Sequence, residues 1–144
     1  MKIIVPFILN LFLFSCGAKE KDFLVTYYED GSIEYLIPKK DTSQADRVYF
    51  YKTGELLGFE KYKDGKKHGV SRFFYPSGNT KSNWLWYEGH PDGYCYNYGD
   101  SYEGYPMEFL VYGGEGQLVL RMKYDSTGKL VSQEGKIPES WDKK

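Results

Sequence analysis

The chain has 144 residues, 41% apolar and 27% charged, which suits one small globular domain and excludes a disordered tail. Its 19 basic and 20 acidic side chains leave a net charge of -1, which excludes the basic footprint of a nucleic-acid-binding protein. Fifteen Tyr, nine Phe and three Trp bring the aromatic share to 19%, and 16 Gly accompany them, a composition of strands and tight turns rather than helices.

Residues 1–15 differ in kind from the rest. Lys2 precedes an apolar run from Ile3 to Phe14, interrupted by Pro6 and Asn10. A spanning helix needs about 20 apolar residues, so the run predicts a cleaved signal peptide. Its end, Leu13-Phe14-Ser15-Cys16-Gly17, resembles the lipobox of bacterial lipoproteins. That resemblance implies a new N-terminus at Cys16, carrying acyl chains such as palmitate, with residues 16–22 as lipidated cysteine and tether. Each buried methylene contributes about 0.8 kcal/mol, so several acyl chains hold a domain on a membrane without a spanning helix. The expected location is the bacterial cell envelope, and Gly17 in place of an aspartate after the cysteine points to the outer membrane. With Cys16 lipidated, Cys95 is the one remaining thiol, no intrachain disulfide forms, and Cys95 between Tyr94 and Tyr96 reads as a small buried hydrophobe.

The next segment, residues 23–137, is organised by repetition. Tyr, two variable residues and Gly recur as Tyr28 to Gly31, Tyr51 to Gly54, Tyr62 to Gly65 and Tyr75 to Gly78. At an offset of 24 residues, Phe50-Tyr51, Gly54, Gly65 and Gly69 return as Phe74-Tyr75, Gly78, Gly89 and Gly93, and Trp86 stands in the place of Tyr62. Tyr112 to Gly116 and Tyr124 to Gly128 fit with one extra residue before the glycine. In Tyr75-Pro76-Ser77-Gly78 proline supplies the fixed φ of a type I turn and glycine the left-handed residue of the bulge that follows. Between turns the pattern alternates, with Leu118, Leu120, Met122 and Tyr124 on one side and Val119, Arg121 and Lys123 on the other. The fold class expected is all-β, an antiparallel meander of repeated β-hairpins with about ten short strands. Residues 138–144 read as a C-terminal tail.

Tyr62-Lys-Asp-Gly65-Lys-Lys-His-Gly69, followed by Phe73-Phe74-Tyr75 and the glycine turn at Gly78, resembles the repeat of bacterial MORN-variant proteins, an antitoxin-annotated group among them. The best match covers residues 50 to 93, and partial copies extend it from about 24 to 132. The resemblance implies a row of β-hairpins and a role in binding or scaffolding. Residues 94 to 111 and the polar connection from Pro38 to Arg47 depart from the pattern.

The search for chemistry predicts a noncatalytic protein with no cofactor and no metal site. His68 lies in the turn Gly65-Lys-Lys-His-Gly69, where the repeat places a solvated side chain rather than a base. His90-Pro-Asp92 with Cys95 lacks a fourth ligand, and Asp125-Ser-Thr-Gly128 lacks the alternating oxygens of a calcium loop and reads as a turn. No nucleophile elbow or phosphate-binding loop is present.

Aromatic density peaks from Trp84 to Tyr105. Trp86 in the place of Tyr62 reads as core. Half-buried strands use such aromatics for packing, and the cluster reads first that way. Trp84 replaces Glu60, a charged position one copy earlier, so the alternative is an exposed Trp84 with Tyr87, Tyr94, Tyr96 and Tyr98 around it as a candidate binding surface. The function expected is that of an envelope lipoprotein whose repeat sheet binds or scaffolds another envelope protein. The alternatives are a glycan-binding lipoprotein with an aromatic platform, and an immunity or antitoxin-like protein.

Overall fold

The computed structural model describes residues 22–101 and 105–136. The expected signal peptide, Cys16 and the tail 138–144 lie outside the described residues. Among those residues the strands are β1 (Phe23–Tyr27), β2 (Ile33–Pro38), β3 (Arg47–Phe50), β4 (Leu56–Glu60), β5 (Tyr62–Lys63), β6 (Lys66–Lys67) and β7 (Gly69–Phe74). They continue with β8 (Thr80–Tyr87), β9 (His90–Pro91), β10 (Gly93–Asn97), β11 (Glu108–Tyr112), β12 (Leu118–Tyr124) and β13 (Leu130–Gly135). Eleven strands form one sheet in the order β1-β2-β3-β4-β7-β8-β10-β11-β12-β13, with β9 beside β8, while β5 and β6 make a separate two-stranded ribbon. Every pairing is antiparallel, so the molecule is the all-β meander of hairpins that the repeats imply.

The repeated glycines serve the turns. Gly54 and Gly78 have φ of +98° and +89°, a region that a β-branched residue enters only under strain. At each, a backbone pair closes the turn: Gly54 N donates to Tyr51 O and Tyr51 N to Glu55 O, both at 2.8 Å, and Tyr75, Gly78 and Asn79 repeat the scheme. The register of the sheet slips by one residue beside each turn, between Tyr49 and Phe50 and between Phe73 and Phe74. That slip is the bulge by which a type I turn accommodates the twist of its strands.

The repeated tyrosines have a different task, which links one repeat to the next. Tyr28 Oη donates to the Phe50 carbonyl at 2.9 Å, Tyr51 Oη to the Phe74 carbonyl at 2.8 Å, and Tyr75 Oη to the Tyr98 carbonyl at 2.8 Å. Each turn is thereby stitched to the strand end that opens the following one. Ser77 Oγ also donates to Asp100 Oδ1, and Asn79 Nδ2 donates to the Asp100 carbonyl at 2.7 Å. The repeat register therefore runs on past residue 94, where the sequence offers no visible copy. Tyr98 occupies the place of Phe50 and Phe74, and Gly99 follows where a tyrosine would extend the ladder.

With one layer only, most strand residues are half-buried. The fully buried side chains are Cys95, Leu110 and Leu120, on β10, β11 and β12, with Val111 close to them in burial. In this apolar setting burial raises the pKa of the Cys95 thiol, and Asp92 adds to the effect against a weak contact with the Leu85 carbonyl. No helix among the described residues is long and apolar enough to cross a membrane.

Candidate functional site

Strand pairing decides which side chains meet on each face. Ser71 on β7 pairs with Trp84 on β8, and Gly69 with Trp86, so Ser71, Trp84 and Trp86 share one face. The pairs Gly58 with Phe73 and Phe59 with Arg72 carry Glu60 of β4 to the other flank of Ser71. Small side chains at Ser71 and Ser82 between the aromatics Phe73, Tyr75, Trp84 and Trp86 leave an open groove of about 370 Å3. Glu60, Lys67, Lys81, Asn97 and Tyr98 complete its lining.

Glu60 is the electrostatic centre of this face. It is 6% exposed, and its carboxylate accepts hydrogen bonds from Tyr49 Oη at 2.8 Å, from Tyr62 Oη at 3.0 Å and from the Lys67 ammonium. Burial alone would raise its pKa, but the hydrogen bonds from Lys67 and Tyr49, with Tyr62 and the Lys67 charge, outweigh it and hold the pKa below the ordinary value. Burial first, and then the same contact, pushes the Tyr49 and Tyr62 hydroxyls up. Lys67, delivered by the β5–β6 ribbon, also lies 4.7 Å from the centre of the Trp86 ring.

This overturns the sequence argument for an exposed Trp84. A charge at residue 60 suggested a solvent position, yet Glu60 is buried because three donors converge on it. Trp84 and Trp86 are both half-buried, and neither ranks among the exposed large hydrophobic side chains. The Trp84 ring packs between Trp86 at 5.8 Å and 25° and Tyr112 at 5.8 Å and 40°. Its Nε1–H donates to Asn97 Oδ1 at 2.8 Å, Asn97 Nδ2 donates to Glu108 Oε2 at 2.7 Å, and Arg121 joins Glu108 and Glu134 at 3.3 Å each. Trp84 thus begins a polar relay from β8 to β13 rather than standing free.

The remaining aromatics are divided by the sheet. Tyr98 borders the groove, where its carbonyl accepts from Tyr75 Oη, while its ring stacks on that of Tyr96 at 6.4 Å and 26°. Tyr94 and Tyr96 lie on the opposite face, stacked against Phe109 at 6.0 Å and tilted against it at 5.1 Å respectively. Tyr87, 58% exposed at the end of β8, meets the His68 ring at 5.0 Å. His68 is half-buried by that contact rather than solvated. On the opposite face Val70 pairs with Leu85, and Tyr94 of β10 shares that face, giving an apolar stripe with exposures of 36%, 37% and 49%. No three His, Cys, Asp or Glu side chains among the described residues gather as a metal site. At Asp125 the carboxylate accepts from Thr127 N at 2.8 Å, Thr127 Oγ1 at 2.7 Å and Lys129 N at 3.1 Å, which makes it a turn lock.

Glu60, Lys67 and Ser71 were missed by sequence reasoning. The available signal was parity: Glu60 lies two residues from Gly58 in one strand, and so on the face that Gly58 shares with Phe73.

No family model matches this chain, and no curated protein does. One solved structure is similar in part, a mutant of TarM from S. aureus in complex with fondaparinux, alpha-GlcNAc-glycerol and UDP. The likeness has 10% identity and a TM-score of 0.38, and it covers 81% of this chain and 18% of that one. It is too slight for any argument to rest on it.

Proposed function

We infer that the protein is a noncatalytic binding module, held at the bacterial envelope by a lipid on Cys16 and bound through its sheet to another envelope protein. The observation that supports this reading is the Val70, Leu85 and Tyr94 stripe. Three neighbouring strands present apolar side chains to solvent on one face, whereas isolated surface hydrophobics are ordinary. An apolar stripe with an aromatic member is what a protein interface uses as its anchor. The glycan alternative built on Trp84 is less favoured, because a stacking platform needs a free ring face and Trp86 and Tyr112 lie against that indole.

A photo-crosslinking side chain at position 85, in intact cells, tests the interface. A discrete adduct is expected there and none from position 52, whose lysine lies at a turn. Equal yields at the two positions would refute the assignment. The anchor is tested separately: Cys16→Ala moves the protein from the detergent phase to the aqueous phase, and a wild-type chain already in the aqueous phase would exclude the lipid.

A further inference from the structure

The groove on the Glu60 face holds more hydrogen-bond donors than the chain uses. Ser71 at its floor is 3% exposed, and its Oγ has no partner among the described residues; the Trp86 Nε1–H is buried and has none among them either. Buried polar groups are nearly always paired, so two on one groove wall require an explanation. The nearby acceptors already serve other donors: Glu60 takes Lys67, Tyr49 and Tyr62, and Asn97 Oδ1 takes Trp84. Charge points the same way. Lys67 and Lys81 line the groove against the single carboxylate of Glu60, and Lys81, 5.6 Å from the centre of the Tyr75 ring, makes no ion pair with a described residue. Donors, a positive excess and aromatic walls favour an anion over a cation.

We propose that this groove binds a carboxylate carried on an apolar or aromatic body. Ser71 Oγ–H and Trp86 Nε1–H donate to the carboxylate, a Lys67 N–H not used by Glu60 supplies the charge, and the body lies along Phe73 and Tyr75. The Lys67 ammonium rests 4.7 Å from the centre of the ring whose N–H is unpaired, beside the place the carboxylate takes. The site uses the face opposite the apolar stripe, so it stands or falls apart from the protein interface.

The test is a titration of the full-length protein in detergent, read by tryptophan fluorescence, with 3-phenylpropionate and its uncharged isostere 3-phenylpropionamide. The acid should saturate the signal with a Kd at least tenfold below that of the amide. Ser71→Ala removes an unpaired hydroxyl, so its melting temperature should stay or rise while acid binding weakens at least fivefold; Lys67→Met should weaken it similarly. A Gly-Gly-Phe peptide with a free C-terminus separates the two sources of such a ligand. Binding at least tenfold tighter than 3-phenylpropionate assigns the site to a protein terminus, and weaker or equal binding assigns it to a free organic acid. Equal affinity for acid and amide, no saturation by either acid or peptide, or unchanged acid affinity in Ser71→Ala would each overturn the proposal. Leu85→Lys on the other face should leave the titration unchanged.

Discussion

The hairpins from β1 to β8 and the strands from β10 to β13 solve one problem in two ways. A single-layer sheet has no second layer to bury its side chains against. In the first region the turns are stitched to one another by Tyr28, Tyr51 and Tyr75, and none of its strands contains a fully buried apolar side chain. In the second region the tyrosine ladder stops, and Cys95, Leu110, Val111 and Leu120 form what core the described sheet has. Regular repetition is therefore a substitute for burial, and where the repeat decays, packing takes over.

Five substitutions separate the two regimes, beginning with the largest expected effect. Leu120→Ala opens a cavity in the packed region and should destabilise by about 2–5 kcal/mol, measured by denaturant unfolding. A loss below about 1 kcal/mol would mean that β12 is no core strand. Gly54→Val forces a branched residue to φ near +98° and should lower stability by about 1–3 kcal/mol, with Thr53→Val close to neutral in the same assay. Tyr51→Phe deletes one rung of the ladder, leaving the Phe74 carbonyl short of a donor, and should lower stability by about 0.5–1.5 kcal/mol. Tyr124→Phe is the control from the other region, since among the described residues its hydroxyl reaches only the Met122 sulfur at 3.5 Å, and its effect should be near zero. Equal losses at positions 51 and 124 would dissolve the distinction.

The smallest effect is pH-dependent. Glu60 has a folded-state pKa below its ordinary 4.5, so its contribution is present above that value and is lost as the pH falls through the folded pKa. The wild-type protein should lose stability on acidification below pH 4.5, and Glu60→Gln should flatten that slope. Identical slopes in melting experiments would show that Glu60 contributes nothing through its charge.

The fold was legible in the sequence because turn chemistry is local. Proline at 76 and glycines at 54 and 78 announce their conformations without help from the rest of the chain, and alternation along β12 announces its pleat. The continuation to Tyr98 and Asp100 was not legible, since it is carried by a main-chain carbonyl and a side-chain acceptor rather than by a repeated letter. The site was legible only in part. Aromatic density marked Trp84, but the placing of Tyr94 and Tyr96 on the other face, with the Tyr98 ring stacked on Tyr96, needs the register between strands. The burial of Glu60 needs the ribbon β5–β6 to return Lys67 across it, a contact between segments that periodicity along one strand does not encode.

The tyrosine ladder also bears on how such a chain lengthens over generations. Each rung joins a turn only to its immediate successor, and every acceptor is a backbone carbonyl, which any residue supplies. A duplicated stretch of one period brings its own donor and finds its acceptor already in place, so copies can be gained by tandem duplication with no matching change elsewhere. The ladder ends at the Tyr98 carbonyl, because Gly99, in the register of Tyr51 and Tyr75, has no hydroxyl to hand on to a further copy.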